Sequence, residues 1–121
     1  MNTKNDIIVI RVRELEEHRQ YFRNLQFEVT DISDTQFVAR FNDKLVSVIQ
    51  APMKIREHRE TQGNGIEVWL SVEDIKSHYE QAKAAGVKIT IDFDNRGYGP
   101  VGDYGTMSPE GFQFFFSQPK P

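Results

Sequence analysis

The stretch IIVIRVRELEEHRQYFRNLQF (residues 7–27) decides the fold, because EVWLSVEDIKSHYEQAKAAGV (residues 67–87) repeats its pattern sixty positions later. Each copy begins with a short apolar run typical of a buried strand and continues with apolar residues at helical spacing. Such a unit cannot bury its apolar face alone, so it must pack against its twin. The repeat therefore predicts two similar modules that share one core.

The remaining residues of each copy predict three further strands. In the first copy these strands fall at residues 27–30, 36–41 and 44–50, so module 1 spans residues 6–50. A charged stretch that opens with Pro52 and closes with Gly63–Gly65 marks a connector over residues 51–65. Module 2 then spans residues 66–118, with a helix at 73–85 and strands at 66–72, 87–91, 104–107 and 112–117.

A glycine-rich loop at residues 92–103 interrupts the second copy. If Phe115 corresponds to Ser47, the offset has grown from sixty to sixty-eight, which indicates an eight-residue insertion, most simply in this loop. Tyr98 and Tyr104 flank the glycines. The loop either folds over a binding site as a lid or is a mobile surface loop.

Length and composition exclude several classes of function. With 121 residues the chain forms a single domain over residues 1–121, and its net charge of -3 without a basic face argues against nucleic acid as a partner. The absence of cysteine excludes disulfides, thiolate zinc sites and a cysteine nucleophile, and predicts a cytoplasmic protein. No apolar run approaches the roughly 18 residues of a membrane span, so we expect neither an anchor nor a signal peptide.

Three short segments follow one another in the second copy: Val72-Glu73-Asp74-Ile75, the run from Lys83 to Val87, and Ser108-Pro109-Glu110-Gly111. With the two tandem units, their order and spacing resemble the vicinal oxygen chelate superfamily of glyoxalases, bleomycin-resistance proteins and extradiol dioxygenases. Gln26 departs from the pattern, since the family commonly has glycine there. The resemblance implies an α+β fold of two tandem βαβββ modules, which form a cupped mixed sheet with helices on the convex face. It also implies a small-molecule ligand in the cup and a homodimer, with the modules paired within one chain or exchanged between chains.

The resemblance also implies where a metal ion would bind in metal-dependent members. Carried onto this sequence, the four ligand positions are Ile7, Ser47, Glu67 and Phe115. Only Glu67 offers a good ligand, because a divalent transition ion prefers imidazole or carboxylate. A shift of one residue would offer Asp6 or Ile8 at the first strand but only Phe114 or Phe116 at the last, so the ligand set stays incomplete. We therefore expect no metal and no cofactor.

The three histidines do not restore a metal site. His18 and His78 lie on the predicted helices, on the far side of the sheet from the cup, where solvated or helix-packing roles are the expectation. His58 lies in the charged connector and is the only histidine able to turn toward a pocket.

Strand alternation predicts which side chains face the cup. They are Ile7, Val9 and Arg11; Leu45, Ser47 and Ile49; Glu67, Trp69 and Ser71; and Gln113, Phe115 and Ser117. Arg11 and Glu67 either neutralise each other or bind the charged groups of a ligand, and Trp69 and Phe115 are either core residues or stacking surfaces. The predicted ligand-binding residues are Arg11, Ser47, Glu67, Trp69, Tyr98, Gln113 and Phe115.

Three functions fit this lining. The first is a metal-free binding protein that sequesters a small planar or cationic compound. The second is a lyase, isomerase or dioxygenase with Glu67 as its catalytic base or its single metal anchor. The third is a regulatory or interaction module whose cup is filled by its own side chains.

Overall fold

Two copies of a strand, a helix and three strands make up the computed structural model, which describes residues 6–51, 67–94 and 102–119. The first module consists of β1 (Asp6–Val12), α1 (Leu15–Asn24), β2 (Glu28–Ser33), β3 (Gln36–Phe41) and β4 (Lys44–Gln50). The second consists of β5 (Glu67–Ser71), α2 (Ile75–Ala84), β6 (Ile89–Asp94), β7 (Gly102–Met107) and β8 (Gln113–Gln118). The predicted α+β order of two tandem modules is confirmed.

Each module forms its own four-stranded mixed sheet. The strand orders are β1-β4-β3-β2 and β5-β8-β7-β6. In both sheets the first strand of the module pairs parallel with the last, and the other pairs are antiparallel. The predicted sheet is therefore divided into two halves, which leaves β1 and β5 as edge strands. No helix in the described ranges is long and apolar enough to span a membrane.

Strand pairing locates the inserted residues of the second copy. Equivalent pairs in the two sheets are Val29 with Ile89, Ala39 with Thr106, and Val46 with Phe114. The residue numbers within these pairs differ by sixty, sixty-seven and sixty-eight. The difference grows by seven between the first pair and the second, so seven of the eight inserted residues lie between Ile89 and Thr106. The eighth lies in the β7–β8 turn. Ser47 and Phe115 are equivalent, because they pair with Val9 and Trp69 in the same register.

Several predicted strand boundaries were wrong. β2 continues to Ser33 instead of ending at residue 30, β6 ends at Asp94 instead of residue 91, and β7 begins at Gly102 instead of residue 104. β2 and β6 are edge strands whose exposed polar residues, such as Asp31 and Asp92, resemble those of a turn, whereas β7 is a buried inner strand that begins with Gly102 and Asp103, which are residues typical of a loop. The rest of the predicted loop, with Tyr98, and the connector, with His58, lie outside the described residues.

One core spans both modules. Phe22 of α1 contacts Phe114 of β8, with ring centroids 5.2 Å apart, and Phe41 of β3 contacts Phe116 at 5.7 Å. These four rings are buried on the helix side of the sheets. The two modules of this chain therefore pack against each other.

Glu110 ties the second module to the first helix. Its carboxylate accepts hydrogen bonds from the backbone N–H groups of Arg13, at 2.8 and 3.0 Å, and Glu14, at 2.7 Å. The side chain of Glu14 itself makes no capping bond to α1. A negative charge at a helix N-terminus is favourable, so the β7–β8 turn of module 2 caps the helix of module 1.

Candidate functional site

The side chains that point away from the helices form one open face on each sheet. The cup face of module 1 comprises Ile7, Val9, Arg11, Gln36, Val38, Arg40, Leu45, Ser47 and Ile49. The cup face of module 2 comprises Glu67, Trp69, Ser71, Asp103, Gly105, Met107, Gln113, Phe115 and Ser117. Strand alternation predicted which residues of β1, β4, β5 and β8 lie on these faces. The residues that β3 and β7 contribute are known only from their register with β4 and β8.

The cup face of module 1 is apolar along its edge. Ile7 and Val9 on β1 are 63% and 51% exposed. In the centre, the Ser47 hydroxyl is buried and accepts a hydrogen bond of 2.9 Å from Gln36 Nε2. The Ser47 hydroxyl therefore already has a hydrogen-bond partner, Gln36, which the sequence pattern did not predict.

An aromatic row crosses the cup face of module 2. The rings of Trp69 and Phe115 lie 4.8 Å apart between centroids, with Phe115 buried and Trp69 half-buried. Gly105 on β7 lies behind the row, and a β-carbon there would be only 2.7 Å from Phe115 Cε2. The absence of a side chain at Gly105 lets the Phe115 ring lie against the sheet.

Glu67 lies at the end of this row. It is exposed, and its Oε1 accepts a hydrogen bond of 3.1 Å from Trp69 Nε1. Within the described ranges, ion pairs join Arg19 to Glu16 and to Asp31, and none joins Arg11 to Glu67. Mutual neutralisation of Arg11 and Glu67, one of the two alternatives left by the sequence, does not occur.

A groove of about 300 Å³ separates the two modules. Its lining is Ile8, Val9, Ile10, Arg11, Val68, Phe112, Gln113 and Phe114. The structure thus brings Arg11 and Gln113 together in the groove, and it brings Glu67, Trp69 and Phe115 together in the aromatic row. Glu67 pairs in register with Gln113, so the groove and the row are adjacent. A second cavity, of about 330 Å³, lies between α1 and the β7–β8 turn. Of the residues that line it, Met107 alone belongs to a cup face.

A family model described as the glyoxalase/bleomycin resistance protein/dioxygenase superfamily matches residues 4–116. The chain belongs to this superfamily. No curated protein sequence matches it significantly.

Solved structures of the same superfamily share the fold at low sequence identity. A glyoxalase/bleomycin resistance protein from Catenulispora acidiphila is 19% identical, with a TM-score of 0.72 over 98% of this chain and 100% of that one. The bleomycin-binding protein of Streptomyces verticillus, solved with copper(II)-bleomycin, is 15% identical, with a TM-score of 0.73 over 99% of both chains. The fosfomycin resistance protein FosX of Mesorhizobium loti is 10% identical, with a TM-score of 0.70 over 99% of this chain and 94% of that one.

The metal positions of the superfamily do not fit a metal ion in this chain. Ile7 and Phe115 offer no lone pair, and the Ser47 hydroxyl is bonded to Gln36. Glu67 is the one suitable ligand of the four. Among the side chains that the structure describes, no group of three or more His, Asp or Glu residues is arranged to hold a metal.

The two helical histidines join the modules. His18 Nδ1 donates to the Glu14 carbonyl at 2.9 Å, and its Nε2 accepts from Ser108 Oγ at 3.0 Å. The equivalent His78 donates from Nε2 to the Leu25 carbonyl at 2.8 Å and accepts at Nδ1 from the Tyr104 hydroxyl at 2.6 Å.

Both histidines are buried, and burial lowers the pKa of each imidazole. Of the two expected roles, solvated or helix-packing, burial leaves the helix-packing role for both. The sequence did not reveal their bonds across the module boundary, which follow from tertiary packing alone.

Proposed function

We propose that this chain is a metal-free binding protein that sequesters a small planar or cationic compound in its cup. The observation that carries the proposal is the row of Trp69 and Phe115 on Gly105, which ends at the carboxylate of Glu67. Aromatic rings stack on planar ligands and attract cations, and an exposed carboxylate adds charge complementarity. A chain without cysteine suits the reducing cytoplasm, where we place it.

Two similar structures support a ligand of this kind. The Streptomyces verticillus protein binds bleomycin, and a bleomycin resistance determinant encoded on the transposon Tn5 has the same fold, with a TM-score of 0.69. Apolar walls with a few polar groups are typical of small-molecule sites. In this chain the groove between the modules has that composition, with Arg11 and Gln113 among apolar residues.

Titration with metal-free bleomycin and with the planar cation 9-aminoacridine tests the proposal. Trp69 is the only tryptophan, so we expect saturable quenching of its fluorescence by at least one of the two, accompanied by thermal stabilisation that grows with ligand concentration. We expect Glu67→Gln to weaken 9-aminoacridine binding by about tenfold, because a charged partner is lost. Glu16→Gln, an exposed change on α1, should leave binding unchanged.

Two results would contradict the proposal. One is that neither compound quenches Trp69 in protein shown to be folded by circular dichroism. The other is stoichiometric metal in the purified protein together with turnover that Glu67→Gln abolishes, which would indicate an enzyme.

We further propose that two chains pair so that the cup face of module 1 lies against that of module 2 from the other chain. Ile7 and Val9 leave apolar surface open on β1. A two-fold dimer uses this contact twice, once on each chain. Each cup is then completed by a second chain.

Sedimentation velocity measures this pairing. We expect the protein to sediment as a dimer and Val9→Glu to sediment as a folded monomer, because a buried unpaired charge is costly at an interface. Ile32→Glu is the matched control, since Ile32 is also an exposed apolar residue on an edge strand, β2. A monomeric wild-type protein, or equal dissociation by both variants, would contradict the pairing.

A further inference from the structure

Opposite charges occupy the groove and its border. Arg11 lines the groove between the modules, and Glu67 lies next to it as the chain neighbour of Val68 and the register partner of Gln113. The remaining groove walls are largely apolar, from β1, β5 and β8. A ligand that enters this groove therefore meets a cation inside an apolar channel and an anion at its border.

Arg11 is available for an external anion. Its side chain is exposed, and within the described ranges the structure gives it no hydrogen bond and no ion pair. The amide of Gln113 lines the same groove. A guanidinium group presents paired donors that match a carboxylate, so Arg11 is suited to bind one.

Glu67 is available for an external cation. The Trp69 indole donates to Oε1 of its carboxylate, which orients the side chain beside the aromatic row. No other described residue donates a hydrogen bond to Glu67. The indole N–H therefore positions the carboxylate without neutralising it.

We infer that the ligand of this cup is a zwitterion, in which one compound carries both a carboxylate and an amine on an aromatic body. The carboxylate binds Arg11 in the groove, the amine binds Glu67, and the aromatic body lies along Trp69. The inference rests on the proposed binding function and goes beyond it, because a planar cation uses only Glu67 and the aromatic row. Two separated charges without a shared partner favour a ligand that satisfies both.

The test uses 4-(aminomethyl)benzoate and its homologues with longer aminoalkyl chains, which vary the distance between the two charges. The methyl ester of each compound removes the negative charge, and the N-acetyl derivative removes the positive charge. Binding is measured by Trp69 fluorescence and by calorimetry. We expect at least one zwitterion to bind about tenfold more tightly than both of its derivatives.

Three variants test which residue binds the carboxylate of the zwitterion and which binds its amine. Arg11→Gln should reduce the affinity for the zwitterion to that of the ester and leave the ester unaffected. Glu67→Gln should reduce it to the affinity of the N-acetyl derivative. Arg40→Gln is the matched control, because Arg40 is also an exposed arginine on the cup face of module 1 but does not line the groove; it should change neither affinity.

The outcomes separate this inference from the proposed function. If 9-aminoacridine binds but no zwitterion binds more tightly than its ester, the zwitterion inference is overturned and the binding function stands. An equal loss with Arg40→Gln and Arg11→Gln also overturns it, since the groove would then have no specific role. If no compound, including bleomycin and 9-aminoacridine, binds the folded protein, both proposals fail.

Discussion

Replacing His78 with phenylalanine is expected to lower the free energy of unfolding by about 2–4 kcal/mol, because the buried Leu25 carbonyl and Tyr104 hydroxyl lose their hydrogen bonds to the imidazole. The Leu25 carbonyl accepts a hydrogen bond from His78, and the Tyr104 hydroxyl donates one to it. A phenylalanine ring preserves the packing of His78 on Phe116, where the centroids are 4.5 Å apart. The loss therefore reports on the hydrogen bonds, and urea unfolding at about pH 8, where the imidazole is neutral, measures it.

The same variant should also show a weaker dependence of stability on pH. Burial holds the folded-state pKa of His78 and of His18 below the ordinary value of 6.5, although the Leu25 carbonyl opposes this at His78 and the Glu14 carbonyl, Glu110 and nearby glutamates oppose it at His18. Below that value the unfolded chain binds protons that the folded protein excludes. The stability from the two neutral imidazoles is thus complete above about pH 6.5 and is lost as the pH falls below it. Without His78, only the contribution of His18 remains.

Tyr79→Phe is the matched control for both measurements. It removes an exposed hydrogen bond of 2.8 Å to Asp92 from the next residue of the same helix, so it should cost less than about 1 kcal/mol and leave the pH dependence unchanged. Equal pH dependence in His78→Phe and the wild-type protein would show that His78 is not held neutral by the fold. A loss no larger than that of Tyr79→Phe would show that the two hydrogen bonds of His78, one of them to Leu25 across the module boundary, contribute little.

Periodicity and repetition were enough to predict the modules and their faces. The helices α1 and α2 begin and end sixty residues apart, as the two copies predict. This was predictable because the periodicity of a helix or a strand depends on local sequence alone. Alternation in β1, β4, β5 and β8 assigned Phe114 and Phe116 to the core and Phe115 to the cup. The ends of β2 and β6 were not predictable in this way, since exposed edge strands tolerate turn-like composition, and the start of β7 was missed because Gly102 and Asp103 have the composition of a loop although they are buried.

The partners within the site required the structure. Alternation places Arg11 and Glu67 on cup faces but does not determine whether they meet, because the two residues belong to separate sheets. The bond from Trp69 to Glu67 joins positions i and i+2 of one strand and was open to prediction, whereas the bond from Gln36 to Ser47 depends on the register of β3 with β4. Gly105 is the clearest omission, since its role depends on which residue of β8 it faces.

Gly105→Ala is expected to disrupt the aromatic row and with it ligand binding. The new β-carbon would lie 2.7, 2.8 and 3.0 Å from three carbons of the Phe115 ring, closer than carbon atoms pack. The ring must then move off the sheet and toward Trp69, since Phe115 is buried between them. We expect a loss of about 1–3 kcal/mol in the free energy of unfolding, as for other overpacked sites, and a loss of binding of about tenfold or more. Urea unfolding and Trp69 fluorescence titration with the best-binding compound measure the two effects.

A second substitution separates the steric effect from the loss of stacking. Combining Gly105→Ala with Phe115→Leu removes the ring that the methyl group contacts, so the double variant should recover most of the stability that Gly105→Ala loses, while binding stays weak because the stacking surface is gone. Phe115→Leu alone should bind weakly as well. Recovery of binding in the double variant would contradict a stacking role for Phe115, whereas a Gly105→Ala protein with unchanged stability would show that the ring has room to move. Under the proposed function, Gly105 is a binding determinant that never touches the ligand, since it acts only by leaving space for the ring that does.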